Sequence, residues 1–233
     1  MKKHLILPFL SVLFNGLFAQ GNDNQSVDKF FINNFESNLP KDNPDRNIQG
    51  TRYSTENYTA GELVMKNGNH YKDHLKFKFD EYFNAIQIKF DNGKETVIFY
   101  NNVDSFRLFI GNTVVNYIKA DVVNEPETNK FYQVIYSSAN YQLIKLPKKT
   151  VVSVDNRDAF GVGEQFKKFE NRDVYFLKKG TSKPFEKIKI SKKSLIESLP
   201  SKKENLTKLL DTPQYKGGLD DAKLAMLFKE IDF

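Results

Sequence analysis

Two histidines four residues apart, His70 and His74, with Asp73 between them, are the first residues to test for chemistry. On a helix that spacing puts both imidazoles on one face, where they can share a zinc ion. Here Gly68-Asn69 precedes the pair and an alternating segment follows it. On a bent strand entry, i and i+4 do not converge as they do on a helix. The chain has no cysteine, and its third histidine is His4, so outside the first residues no further histidine or cysteine completes a set. We expect no metal site. A Ser-His-Asp arrangement would have to recruit one of the same two histidines, and no serine sits in a G-x-S-x-G elbow. Asp42 with Asp45, Asp80-Glu81, and Glu125 with Glu127 are close carboxylates. All lie in turn-like segments, where acids end strands and stay solvated, whereas a glycosidase needs two acids facing each other across a cleft. Gly161-Val162-Gly163-Glu164 lacks the strand–turn–helix surroundings of a dinucleotide loop. We expect no cofactor and no catalytic residues.

Lysine is the side chain with a pattern. Lys145 to Lys216 holds 18 basic and 9 acidic residues, a net +9 within a chain of net +6. The excess comes in doublets: Lys148-Lys149, Lys167-Lys168, Lys178-Lys179, Lys192-Lys193 and Lys202-Lys203. If the fold gathers Lys148, Lys149, Lys178, Lys179, Lys192, Lys193, Lys202 and Lys203 on one side, they make a basic patch for an acidic envelope component. That partner would be a phosphorylated lipid headgroup, an acidic glycan or an acidic protein. The plainer reading is a solvated lysine surface that keeps sheet edges from pairing. No nucleic-acid recognition motif accompanies the charge, so nucleic acid is not expected.

The elements that must carry these residues are mostly strands. In Leu75, Phe77 and Phe79, then Ile86, Ile88 and Phe90, apolar residues alternate with polar ones, as in half-buried strands. Asn92-Gly93 follows, and Asn-Gly favours a two-residue type I′ turn. That turn predicts Phe90 opposite Glu95, Ile88 opposite Val97 and Ile86 opposite Phe99. Gly111-Asn112 predicts a second hairpin pairing Leu108 with Val115 and Phe106 with Tyr117. Glu62–Lys66, Lys130–Tyr136, Tyr141–Leu146, Thr150–Asp155, Asp173–Leu177 and Phe185–Ile190 read as further strands. Residues 156–170 show no clear period and read as a mobile loop. Short helices follow: Leu195, Ile196 and Leu199 on one ended by Pro200, then Leu206, Leu209 and Leu210 behind a Ser201-x-x-Glu204 capping box, then Leu224, Leu227, Phe228 and Ile231. Val27, Phe30, Phe31 and Phe35 predict an N-terminal helix, followed by a polar linker from Pro40 to Ala60.

Met1–Ala19 carries Lys2 and Lys3 before an apolar run, with Ala19 ahead of Gln20, which reads as a secretory signal peptide. The absence of cysteine excludes a lipidated N-terminus and disulfides. The expected organisation is a signal peptide (1–19), an N-terminal helix and linker (20–60), an antiparallel β domain (61–190) and a helical segment (191–233). The fold class is mainly β (α+β), an antiparallel meander or sandwich-like sheet with a rich aromatic core, since Phe alone occurs 21 times. The runs GELVMKNG, LKFKFDEYFNAIQIKF, IFYNNVDSFRLF, FENRDVYFLKKG and ISKKSLIESLPSKKENLTKLL resemble uncharacterised exported β-meander proteins of Bacteroidota, over about two thirds of the chain after the signal. The resemblance implies export and a β-meander and brings no activity and no site residues. Together these readings lead us to expect an exported, non-enzymatic binding or scaffolding protein at the periplasmic, outer-membrane or extracellular face. The alternatives are a hydrolase acting on a glycan or peptide and an integral outer-membrane barrel. A pocket joining two acids, or His70 and an acid, would favour the hydrolase.

Overall fold

A computed structural model describes residues 47–98, 100–122, 129–158 and 160–232. The segments expected to form a signal peptide and an N-terminal helix, and Phe99, lie outside the described residues. In chain order the strands are β1 (Ile48–Gln49), β2 (Ala60–Met65), β3 (His70–Tyr71), β4 (Leu75–Asp80), β5 (Ala85–Phe90), β6 (Glu95–Ile98), β7 (Val103–Ile110), β8 (Thr113–Lys119), β9 (Phe131–Ser137), β10 (Tyr141–Leu146), β11 (Lys149–Asp155), β12 (Gln165–Asn171), β13 (Val174–Lys179) and β14 (Glu186–Ile188). Three helices follow: α1 (Lys192–Ser198), α2 (Lys203–Leu210) and α3 (Asp221–Ile231). The fold is mainly β, with antiparallel sheets and C-terminal helices. An eight-stranded antiparallel sheet runs β14-β13-β10-β9-β8-β7-β2-β3, and among the described residues it stays open. A three-stranded sheet runs β4-β5-β6, and a second runs β1-β12-β11.

One face of the large sheet is covered in two halves. Over β2, β7 and β8 lies the β4–β6 sheet, and between them Leu63, Phe77, Phe79, Ile86, Ile88, Ile98, Phe106, Leu108, Tyr117 and Phe131 form a core. It is aromatic at its centre. Phe106 and Tyr117 stack 4.4 Å apart, and Phe79 leans on both. Gly61 permits the close approach of β4, since a Cβ there would meet the Arg107 carbonyl at 2.5 Å and the Phe77 ring at 2.8 Å. Over β10, β13 and β14 lie the helices. Leu195, Leu199, Leu206, Leu224, Leu227, Phe228 and Ile231 pack on Leu143, Leu177 and Ile188. On the opposite face Tyr132, Ile144, Leu146, Phe176 and Phe185 make a smaller third core.

Several expected details change. At Gly111-Asn112 the register stands, with Leu108 on Val115 and Phe106 on Tyr117. At Asn92-Gly93 it is shifted by one: Ile86 pairs with Ile98, Gln87 with Val97, and Ile88 with Thr96. The loop is Asp91-Asn92-Gly93, closed by Gly93 N–H to the Phe90 carbonyl and Phe90 N–H to the Lys94 carbonyl. Within it Gly93 alone takes positive φ, 82°. This is a type I turn followed by a glycine bulge, not a type I′ turn. The Asn92 side chain drives the choice, because its Oδ1 accepts the Lys94 N–H at 2.9 Å. Lys66-Asn67-Gly68 repeats the design, with Asn67 Oδ1 accepting from Asn69 N–H.

The expected loop at 156–170 is a strand from Gln165 on, paired with β11 along its whole length. The expected linker is docked from Asn47 on: β1 pairs with β12, Tyr53 and Thr59 bridge to β4, and Arg52 is buried on Asp80 at 2.8 Å. α1 stops at Ser198 with Leu199 as its C-cap, directly before Pro200, as expected. Pro200 then opens a short 3-10 turn (Pro200–Lys202) that leads into α2, whose N-cap is Lys202 without a side-chain bond. The Ser201–Glu204 capping box therefore does not form. Ser191 and Asp220 are the side chains that cap α1 and α3.

Candidate functional site

One row of side chains crosses seven strands on the covered face: Leu63, Phe106, Tyr117, Gln133, Lys145, Tyr175 and Ile188. Its ends are apolar and feed the two cores. Its middle, Gln133, Lys145 and Tyr175, is polar and lies at the seam between the β4–β6 sheet and the helices. Asp221, in the first turn of α3, meets all three. Lys145 Nζ lies 2.6 Å from Asp221 Oδ2, Gln133 Nε2 donates to the same oxygen at 3.2 Å, and Tyr175 OH donates to Oδ1 at 2.8 Å. Asp173 Oδ2 is 3.5 Å from Lys145 Nζ. Burial pushes the Tyr175 hydroxyl well above its ordinary range, and the Asp221 charge pushes the same way. Beside this group Lys149 lies 3.4 Å from Glu81 and donates to the carbonyls of Thr51 and Tyr53. Burial raises the Glu81 carboxyl, against the pull of Lys149. Asp80-Glu81, expected to be solvated, is thus largely buried: Asp80 binds Arg52 and accepts the N–H groups of Tyr82 and Phe83.

This network clamps the seam between the two cores. Lys145 sits between the carboxylates of Asp221 and Asp173, which engages the lysine that a nucleophile would need free. The histidines do not meet each other. His70 Nδ1 is 2.7 Å from Glu62, which also holds Arg107 at 2.7 Å, all on the uncovered sheet face. Hydrogen bonding from His70, then the Arg107 charge, lowers the Glu62 carboxyl. His74 Nδ1 is 2.6 Å from Asp91 on the β5–β6 loop. A hollow of about 290 Å³ lies on the helical side, lined by Asn205, Lys208, Leu209 and Glu230, with one acid and no histidine.

The eight lysines of the expected patch are spread over several elements. Lys149, Lys179, Lys192 and Lys193 each have a carboxylate neighbour: Glu81, Glu186, Asp211 and Glu197. Lys178 and Lys179 are adjacent on β13, so they project to opposite faces. Lys178 lies 5.6 Å from the Phe185 ring. Lys148 precedes β11, and Lys202 and Lys203 lie where the 3-10 turn meets α2.

Sequence reading gave Thr150–Asp155 as a strand but missed its partner β12, and with it the β11–β12 hairpin. Neither strand, nor β1 beside them, has a buried residue, and none of their side chains joins a core. Yet the hairpin is apolar: Val151, Val152, Val154, Phe166 and Phe169 are only half-covered. Its tip presents Phe160 at 92 % and Val162 at 70 % exposure. Local bonds hold that tip in place. Asp158 Oδ1 accepts from the N–H groups of Phe160 and Val162, and the Asp158 N–H donates to the Val162 carbonyl, each at 2.9 Å. The available signal was the Val-rich β11 run set against Gly161 and Gly163; aperiodic spacing in 156–164 masked the strand behind it. Compared with family models, with curated proteins and with solved structures, the chain matches none.

Proposed function

We propose that this chain is an exported, non-enzymatic binding or scaffolding protein of the cell envelope, and that the β11–β12 arm is its binding element. The arm carries this reading. A hairpin with no buried residue gains little stability from its own packing. One that still exposes Phe160 and Val162 on a hydrogen-bonded tip is shaped to bury them against something else. The rest of the molecule supports such a role by rigidity, since both ends of the covered sheet face are packed and its polar seam is clamped. The lysine-rich C-terminal half favours an acidic envelope partner, with Lys148, Lys178 and Lys203 extending from the arm's base to the helices.

The test is retention of the purified mature chain on an envelope fraction at low and high salt. Phe160→Ser with Val162→Ser should lose most of the retention while leaving the melting temperature unchanged, because exposed substitutions shift stability by less than about 0.5 kcal/mol. Salt should weaken the remainder if the partner is acidic. Retention equal to wild type in the double variant would sink the proposal.

A further inference from the structure

We infer that the edge of β11 that no described strand covers pairs antiparallel with the β11 of a second copy, joining two arms into one continuous sheet about a two-fold axis at Val152. This rests on the reading of the arm as the binding element and names its partner as the chain itself. The argument begins with the phase of the hydrogen bonds. Arg172 N–H donates to the Lys148 carbonyl at 2.7 Å, and Asn156 N–H donates to the Glu164 carbonyl at 3.0 Å. Between them the register runs Thr150 to Glu170, Val152 to Lys168 and Val154 to Phe166. Hydrogen-bonded pairs alternate in an antiparallel ladder, so the even residues of β11 bond to β12 and the odd residues point their N–H and C=O away from it. Lys149 obeys this rule, sending its N–H to the Glu81 carbonyl at 3.3 Å. Val151, Ser153 and Asp155 then face the side where, among the described residues, β11 ends its sheet.

The other sheet ends are shorter or covered: β1 has two residues and β6 has four, beginning at the charged Glu95. The eight-stranded sheet stops in a three-residue strand, β14, and a two-residue strand, β3. The outer side of β4 meets Tyr53 and Thr59. β11 has seven residues, and between its terminal Lys149 and Asp155 it reads Thr-Val-Val-Ser-Val, with no charge, proline or bulge. Those are the devices that keep edges from pairing.

The strand is also complementary to itself. With the axis at Val152, Val151 and Ser153 of one copy exchange backbone bonds with Ser153 and Val151 of the other, so the outward-pointing phases match. Val152 faces Val152 and Thr150 faces Val154, all β-branched, which favours cross-strand packing. No like charges stand directly opposite: Asp155, already paired with Arg157, faces Lys149, already held by Glu81. A parallel arrangement would bring like ends together.

The chain has no cysteine, which gives a direct test. A Val152→Cys variant of the mature chain places two thiols across the axis at a non-hydrogen-bonded position, where Cα atoms lie about 4.5 Å apart, within disulfide reach. Under mild oxidation it should form a covalent dimer about tenfold faster than Val154→Cys, whose copy faces Thr150. In sedimentation equilibrium the wild type should dimerise with concentration. Ser153→Pro should be monomeric with a native spectrum, because it removes an outward N–H only. Ser153→Lys tests the same edge without altering the backbone and should also be monomeric. A wild type that stays monomeric at every concentration, a Ser153→Lys variant that dimerises like wild type, or equal cross-linking of the two cysteine variants overturns the inference. The envelope-retention test answers separately: loss of retention in the Phe160→Ser, Val162→Ser variant alongside a monomeric wild type would leave the arm as a binding element for another partner.

Discussion

Lys145 shows how one residue can serve specificity more than stability. Its ammonium is almost fully removed from water and is compensated by Asp221, with Asp173 behind. Removing one partner leaves a buried charge, so Asp221→Ala should cost roughly 2–4 kcal/mol in reversible denaturation. Replacing Lys145 and Asp221 together by Met and Leu should cost clearly less than the sum of the single changes, since the desolvation of both charges disappears. Additive losses would mean that the pair is not coupled. At the other end of α3, hydrogen bonds from Ser138 and Tyr136 hold the Asp232 carboxyl below its ordinary value of 3.8. The unfolded chain therefore takes up that proton first as pH falls. The stabilisation is present above about pH 3.8 and is lost as pH falls through the lower native value. Glu81 has the opposite sign. Burial raises it above 4.5, so from there to its native value the folded state binds more protons, and stability declines as pH rises. In melting curves across the acid range, Asp232→Asn should flatten the acid limb and Glu81→Gln should remove the decline above it.

At the level of elements, the β5–β6 hairpin separates pattern from register. Ile88 is fully buried, whereas Val97 is half-buried and opposite Gln87. Ile88→Ala should cost about 2–5 kcal/mol, and Val97→Ala should cost less than about 1 kcal/mol, since a half-buried side chain loses only part of its transfer free energy. Comparable losses at both sites would restore the Ile88–Val97 pairing expected from a type I′ turn. The alternation of apolar residues was legible because a period of two needs only the strand. The turn was not, because Asp91-Asn92-Gly93 and Asn92-Gly93 are two loops with the same residues, and the side-chain bond of Asn92 to Lys94 N–H decides between them.

For the molecule as a whole, order should be graded. Amides of β7 to β10 lie within the eight-stranded sheet under two cores, whereas the arm is covered by neither. Hydrogen exchange of dilute protein should therefore release β11 and β12 well before β7 to β10, with Val151 and Ser153 fastest in β11. Uniform protection would show that the arm shares the global stability. The intact mass of exported protein should match a chain beginning at or near Gln20; a mass that retains Met1–Ala19 would refute the signal-peptide expectation.

Local physics made part of this protein readable from residues alone. Strand alternation, the leucine and phenylalanine stripes of the C-terminal helices, the Gly111-Asn112 hairpin and the aromatic core all follow from short-range spacing and the burial of apolar surface. Long-range packing decided the rest. Asp80-Glu81 looked like a solvated turn until the docked 51–54 segment and Lys149 covered it. Asp221 gains its partners only because the register of three strands, β9, β10 and β13, brings Gln133, Lys145 and Tyr175 to one row. The lysine doublets could not be assigned a common side, because adjacent strand residues face opposite ways and half of the eight have carboxylates that only folding brings near. The role of the arm was hidden for the same reason: whether a Val-rich hairpin is core or edge depends on which neighbours the sheet supplies, and among the described residues β11 has one on a single side.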